Sequence, residues 1–281
     1  MNKKLKFFLN VVLVLVFLFS VAMVLRQMQD DSGGGSSYDD ALQIALSGNS
    51  ETKLSGQTNP SAHNLPTEPE ETKETKLWIP EPIEDTDPHV LTLEAISLEA
   101  LRQVNPDVLG WILIPDTKIN YPLLQGEDND FYLEHTWEGK KNSVGSIFLE
   151  HRNTPDFTDF NTIVYGHNMN SGSMFGTLSS YGSNWHWKQH PYIYIRTDEG
   201  VFRYEVFSSY RSEVTGSAYG LSFHQPETRA TFLVNALENS RIDTGIEPAL
   251  TDRILTLSTC SGADYSTRWV VHARLKMVQT D

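Results

Sequence analysis

The sequence predicts a mainly β fold, a barrel or a sandwich, and not a parallel α/β fold. From about residue 91 onward, short segments rich in β-branched, aromatic and other apolar residues alternate with turn-forming clusters. Pro115-Asp116, Gly166-His167-Asn168 and the stretch 126–129 are examples of those clusters. Many short strands separated by turns are typical of all-β domains.

The first predicted element of this domain is an amphipathic helix, and the strands follow it. The apolar face of this helix comprises Leu93, Ile96, Leu98, Leu101 and Val104, and Asn105-Pro106-Asp107 ends it. The predicted strands lie at 108–114, 118–124, 146–150, 162–165, 192–196, 202–210, 254–259 and 269–275. Two helical insertions interrupt them, a mixed one at 175–188 and one at 226–239 that begins with Pro226.

Charge and cysteine content narrow the class of protein. The 36 Asp and Glu residues exceed the 22 Lys and Arg residues, which gives a net charge of −14 and argues against nucleic-acid binding. A single cysteine permits no intrachain disulfide, which fits a reducing compartment or an exported protein without disulfides. Acidic clusters with a calcium-loop pattern are missing from the sequence, so we expect no metal and no cofactor.

The amino-terminal residues predict a membrane anchor. The run 7–25 is interrupted only by Asn10 and Ser20, and as a helix it is long enough to cross a bilayer. Lysines at 3, 4 and 6 place the tail 1–6 in the cytoplasm and the rest outside. The prediction is a single-pass protein of the cell membrane with an extracellular catalytic or binding domain. A cleaved signal peptide is the alternative, with Ser20-Val21-Ala22 as its cleavage site.

Residues 26–90 are predicted to be a disordered acidic linker. Gly, Ser, Pro, Glu, Thr and Asp dominate this stretch, which includes the Gly33-Gly34-Gly35 run, and only a weak helical turn at 38–46 stands out. The folded domain is then expected to span 91–281.

The lone Cys260 stands where a predicted strand runs into a Gly-containing loop. By itself, Cys260 is predicted to be an unreactive residue packed in the core, since free cysteines are among the most buried residues. A thiol nucleophile needs a partner that stabilises the thiolate and a donor for the oxyanion. His167, directly after a short strand, is the candidate for the first role, and Arg268 for the second. Arg274 lies on the same strand parity, so the sequence leaves either arginine as the donor.

Other histidines receive simpler interpretations. His186 and His190 have an i,i+4 spacing, but no neighbouring carboxylate or thiol completes a metal site, so packing or capping is expected. His272 lies mid-strand and is expected to pack in the core.

Three motifs together resemble a known family. Thr256-Leu257-Ser258-Thr259-Cys260 with Arg268 resembles the signature of sortases, the membrane-anchored cysteine transpeptidases of Gram-positive bacteria. Tyr165-Gly166-His167-Asn168-Met169, the stretch 145–150 and Gly110-Trp111-Ile112 are similar to class B sortases in particular. The resemblance runs from about residue 98 to the carboxyl end.

The resemblance implies a closed eight-stranded barrel with amino-terminal helices and a helix before the cysteine strand. It also implies a reaction in which a carboxyl-terminal sorting motif is cleaved after Thr and the protein is transferred to an amine of a peptidoglycan precursor or a pilin lysine. By position, Cys260 is the nucleophile, His167 the acid/base and Arg268 the stabiliser of the carbonyl. Ser258 and Thr259 are expected to contact substrate.

Two other functions remain open at this point. A hydrolytic cysteine endopeptidase is one, although a papain-type enzyme would place its cysteine before its histidine. A tethered, non-catalytic binding or scaffold protein with a buried Cys260 is the other.

Overall fold

A computed structural model describes residues 3–48, 87–261 and 266–280. Its strands are β1 (Val108–Leu113), β2 (Asn120–Leu124), β3 (Ile147–Leu149), β4 (Asn161–Gly166), β5 (Tyr192–Thr197), β6 (Gly200–Glu213), β7 (Ile254–Ser261) and β8 (Thr267–Gln279). Its helices are α1 (Lys3–Ser47), α2 (Pro88–Glu94), α3 (Leu98–Arg102), α4 (Asn184–Gln189) and α5 (Pro226–Glu238). Short 3₁₀ helices lie at Phe131–Leu133, Leu178–Gly182 and Ser217–Tyr219.

The strands form one closed barrel in the order β1-β2-β3-β4-β7-β8-β6-β5. Most neighbours are antiparallel, but β2 pairs with β3 and β4 pairs with β7 in parallel. The parallel β4–β7 pair joins segments that are far apart in the chain, and the connection between them includes β5, β6 and α5. The predicted mainly β class and the closed barrel implied by the resemblance are therefore confirmed.

Apolar side chains of the strands fill the barrel and give it its stability. Leu255 and Leu257 of β7, together with Val271 and Ala273 of β8, belong to the main core. The alternate residues of these strands point to the other face, where Ile254 and Val270 pack with Phe232 and Leu233 of α5. The predicted amphipathic helix is instead two short helices, α2 and α3, because Ser97 caps a new helix at Leu98.

A hydrogen-bond chain fixes the α5 side of β7. Asn161 donates both amide protons to the carbonyls of Ala218 and Gly220, so its Oδ1 accepts from Thr256 Oγ1 at 2.6 Å. Thr256 in turn accepts from His272 Nδ1 at 2.9 Å, which leaves Nε2 to accept from Tyr210 Oη at 3.2 Å. His272 therefore packs in the core, as predicted, and is held as the neutral ring.

Acid should weaken the fold through His272. Burial lowers the pKa of His272 to about 3. The unfolded chain, with an imidazole pKa near about 6.5, binds a proton that the folded chain excludes. The contribution of His272 is therefore complete above about pH 6.5, and between there and pH 3 it falls by up to about 1.4 kcal/mol per pH unit.

The measurement is the free energy of unfolding in urea between pH 4 and pH 6. We expect the His272→Gln variant to show a shallower pH dependence than the wild type, while His224→Gln, at an exposed position, keeps the wild-type slope. Equal slopes for all three proteins would show that His272 does not titrate on unfolding.

Helix α1 differs from the sequence prediction. Residues 26–47, predicted to be linker, are helical. Tyr38, Ala41 and Ala45 are buried, and the Tyr38 hydroxyl donates to the carbonyl of Gly145. Spacings of three and four residues put these side chains on one helix face, and this packing compensates for the poor helix propensity of the glycines before them. Residues 49–86 of the predicted linker lie outside the described residues, and the domain boundary at 91 stays a prediction.

The predicted membrane anchor is wrong. Among residues 3–48, 87–261 and 266–280, no helix combines the length and the apolar character needed to cross a bilayer. The apolar run 7–25 lies within α1, which continues through Arg26, Asp30 and Asp31 to Ser47. The predicted single-pass location in the cell membrane, with an extracellular domain, rested on that run and on the lysines before it, and it is not supported.

Candidate active site

Strand register places Cys260 between two elements at one end of the barrel. In the parallel β4–β7 pair Gly166 lies opposite Thr259, and His167 and Cys260 are the residues that directly follow these two. In the antiparallel β7–β8 pair Cys260 lies opposite Arg268. The structure describes the backbone of Cys260. Paired strands in a sheet lie about 4.8 Å apart. The register therefore brings all three predicted residues to the same edge.

A pocket of about 580 Å³ opens at this edge. His167, Arg268, Ser258 and Thr259 all line it. Its remaining wall residues are Asn129, Asp130, Leu133, Phe148, Glu150, Arg152, Tyr165, Gly166, Val214 and Tyr219. The pocket is thus part polar and part apolar, as is typical of sites that bind a peptide or another small organic ligand.

His167 is held by a backbone carbonyl. Its Nε2 lies 2.6 Å from the oxygen of Leu133. A carbonyl oxygen only accepts hydrogen bonds, so Nε2 carries the proton, and in the neutral ring Nδ1 is the basic nitrogen. The loop that follows is closed by a hydrogen bond from Phe175 N to the carbonyl of His167. These contacts fix the ring of His167 at the mouth of the pocket.

The structure distinguishes the two arginines of β8. Arg274 donates from Nε and Nη2 to Glu205 Oε2 at 3.1 and 2.8 Å, and it lies opposite Ile254 at the far end of β7. Arg268 lies opposite Cys260 and lines the pocket. Of the two arginines, Arg268 is therefore the one that pairs with Cys260 in the strand register.

Ser258 and Thr259 are both buried but differ in their hydrogen bonding. The Ser258 hydroxyl is 2.9 Å from Tyr219 Oη. The Thr259 hydroxyl has no hydrogen-bond partner among the described atoms. Both residues stand in the pocket wall, Ser258 as part of a polar pair and Thr259 beside Gly166.

Sequence reasoning overlooked a polar cluster around Glu150. This carboxylate is 1% exposed and accepts hydrogen bonds from Asn129 Nδ2 at 2.7 Å, Tyr165 Oη at 3.0 Å and Arg152 Nε at 2.6 Å. Burial by itself raises the pKa of Glu150, but these three donors outweigh burial, so the pKa lies below its usual value. The signal was present, since an acidic residue ends an apolar strand and an arginine follows two positions later.

Comparison with known proteins agrees with this architecture. The sortase domain family model matches residues 112–276. The chain belongs to the sortase family. The sequence is 38% identical over 182 residues to Sortase B of Listeria monocytogenes, an alignment that covers 63% of this chain and 73% of that protein. It is 34% identical over 179 residues to Sortase B of Staphylococcus aureus, with coverage of 63% and 73%.

Solved structures agree with the sequence comparison. A Staphylococcus aureus sortase B–substrate complex superposes with a TM-score of 0.69 at 25% identity, covering 89% of this chain and all of that chain, 100%. This sortase is therefore a class B enzyme and a cysteine transpeptidase, as the motifs around Cys260 and His167 indicated.

Gly145 of the sortase is needed to seat His167. Its φ is +62°, and a Cβ there would lie 2.7 Å from the Leu133 oxygen and 2.8 Å from His167 Cδ2. Gly139 has a similar φ of +77°, with nothing within 4 Å of its Cβ position. Alanine at either position carries the backbone cost of a left-handed conformation, about 1–2 kcal/mol. Only Gly145→Ala also displaces the imidazole.

We expect Gly145→Ala to lower kcat/KM by about 10²-fold, the loss that a misplaced catalytic group typically produces. Gly139→Ala should lose about 1–2 kcal/mol of stability in urea denaturation, less than Gly145→Ala, whose Cβ also meets backbone oxygens, and it should keep kcat/KM within about threefold. Equal activities for the two variants would contradict the role assigned to Gly145.

Proposed function

We propose that Cys260 is the nucleophile of a transfer reaction on proteins with a carboxyl-terminal sorting motif. Its thiolate attacks the carbonyl carbon of the motif's Thr, the peptide bond after Thr breaks, and a thioester to Cys260 forms. An amine then attacks the thioester, a new amide bond forms and the thiol is released. The observation that supports this most directly is the strand register, in which Cys260 pairs with Arg268 of β8 and directly follows Thr259, the partner of Gly166 in β4.

In this proposal His167 is the general acid and then the general base of the reaction. The imidazolium gives the proton on Nδ1 to the nitrogen of the departing chain, since Nε2 is engaged with the Leu133 carbonyl. In the second half the neutral Nδ1 takes a proton from the incoming amine. The same nitrogen therefore acts as acid and then as base.

Arg268 stabilises charge on the substrate carbonyl. A guanidinium stays protonated at any relevant pH, and it offers several donors to an oxygen that becomes negative as the thiolate attacks. The same positive charge favours the thiolate form of Cys260 beside it. Ser258 and Thr259, in the wall next to the thiol, are proposed to contact the sorting motif.

The substrates are proposed by class. The motif is of the Asn-Pro-x-Thr-Asn or Pro-x-Thr-Gly type, and the acceptor is an amine of a peptidoglycan precursor or the lysine of a pilin. The similarity to a Staphylococcus aureus sortase B–substrate complex supports a sortase substrate for this chain as well.

A peptide library tests the proposal. Sorting-motif peptides are incubated with the enzyme, with and without amine acceptors, and the products are identified by mass. We expect an amide product that contains the acceptor and little hydrolysis when the acceptor is present. Cleavage to the free acid, unchanged by acceptor, would indicate a hydrolytic endopeptidase. No cleavage of any peptide, with a thiol that does not react with iodoacetamide, would indicate a binding protein.

A further inference from the structure

Glu150 occupies a position in the pocket that neither the thiol chemistry nor packing explains. It directly follows β3, and its carboxylate is 1% exposed although it lines the pocket with His167 and Arg268. Carboxylates are rarely buried to this extent without a set of matched donors. The surroundings of Glu150 provide such a set.

Both carboxylate oxygens of Glu150 are engaged. Oε2 accepts from Asn129 and Tyr165, while Oε1 accepts from Arg152 Nε and lies 3.1 Å from His151 Nδ1. Since donors on each oxygen occupy the carboxylate, Glu150 has little capacity left to bind a substrate itself. Its effect on a substrate must pass through the residues it holds.

Two of those residues stand at defined places in the active site. Tyr165 lies on β4 two residues before His167, and it pairs with Ser258, two residues before Cys260. Asn129 is held from both ends of its amide, because Nδ2 donates to Glu150 and Oδ1 accepts from His151 N at 3.0 Å. Hydrogen bonds to the carboxylate therefore orient the amide of Asn129 and the phenol of Tyr165.

We propose that Glu150 is a positioning residue for the sorting motif, holding Asn129 and Tyr165 in fixed orientations in the pocket wall against which the peptide binds. This role rests on the proposed transfer function. It predicts that loss of the charge weakens peptide binding and leaves the chemistry at Cys260 unchanged. Glu150 is not a catalytic residue in this account, because its carboxylate oxygens are occupied by Asn129, Tyr165 and Arg152.

The test is the Glu150→Gln variant. Glutamine has almost the same volume, but its amide replaces one acceptor oxygen by a donor, so it conflicts with one of the donor pairs around it. We expect KM for the sorting peptide to rise about ten- to hundredfold, the range expected for loss of hydrogen bonds to a charged group. The kcat and the rate of Cys260 alkylation by iodoacetamide should stay within about threefold of wild type.

Two further variants separate positioning from a purely structural role. Glu150→Asp restores the charge and should recover part of the KM loss. Glu134→Gln removes a carboxylate that is 67% exposed and paired with Lys141 at 3.5 Å, and it should match the wild type. A wild-type KM in Glu150→Gln would overturn the proposal. A fall in kcat and in the alkylation rate at unchanged KM would also overturn it. So would a raised KM in Glu150→Gln that is equally high in Glu150→Asp.

The wild-type enzyme is assayed in parallel. If it forms no transfer product with any peptide, the proposed function fails, and peptide affinity is then compared by direct titration of the wild type and Glu150→Gln. Equal affinities there overturn the role of Glu150 as well.

Discussion

Replacing Cys260 by alanine is expected to abolish transfer and leave the fold intact. Without the sulfur no thioester can form, so the loss in kcat should be on the order of 10⁴-fold or more. Product formation from a sorting peptide and an amine, followed by mass, measures the loss. The urea unfolding midpoint checks that the barrel is intact. Peptide cleavage retained by Cys260→Ala would mean that another group attacks the carbonyl.

Arg268→Ala is expected to have the next largest effect. Removal of one donor from a developing oxyanion typically costs about 10²- to 10³-fold in kcat, and we expect a loss in this range. Arg268→Lys keeps the charge but not the planar array of donors, so it should recover only part of the rate.

Arg274→Ala is the matched control for Arg268→Ala on the same strand. Arg274 binds Glu205 and approaches Asp252, and it stands at the far end of β7 from Cys260. Its loss leaves two largely buried carboxylates short of a partner, so stability should fall by about 1–3 kcal/mol with kcat nearly unchanged. A larger loss of kcat in Arg274→Ala than in Arg268→Ala would reverse the assignment of the two arginines.

The strands were predictable from local pattern, but their arrangement was not. Turn clusters bounded each strand, so each was predicted within a few residues of where it lies. The closeness of His167 to Cys260 depends on the parallel pairing of β4 with β7, which are separated by two strands and α5. Local periodicity holds no information on such a pairing. Strand-end positions made His167 and Arg268 candidate partners of Cys260, but only the family resemblance implied that the three residues form one site.

The amino-terminal region shows where local reasoning fails. Gly33 to Gly35 and the acidic residues near them favour disorder when they are considered alone. In the structure, however, Tyr38, Ala41 and Ala45 are buried by packing against the barrel. The helix exists because of that tertiary packing, which propensity does not register. The anchor prediction was wrong for a separate reason, because no helix among the described residues is long and apolar enough to cross a bilayer.

Glu150 was missed for a different reason. An acidic residue at the end of a strand is ordinarily exposed. The nearby Arg152 was a signal for an ion pair, but the sequence does not show that Asn129 and Tyr165 also converge on Glu150. Arg268 and Arg274 likewise could not be distinguished from strand parity, because the two differ only in which end of β7 they face.

The covalent intermediate tests the central claim most directly. Wild-type enzyme is mixed with a sorting peptide in the absence of an amine, quenched in acid within one turnover, and its intact mass is measured. We expect a mass gain equal to the peptide fragment ending in Thr, located on Cys260 by digestion and discharged when an amine is added before the quench. Release of cleaved peptide without any adduct on Cys260 would contradict the account.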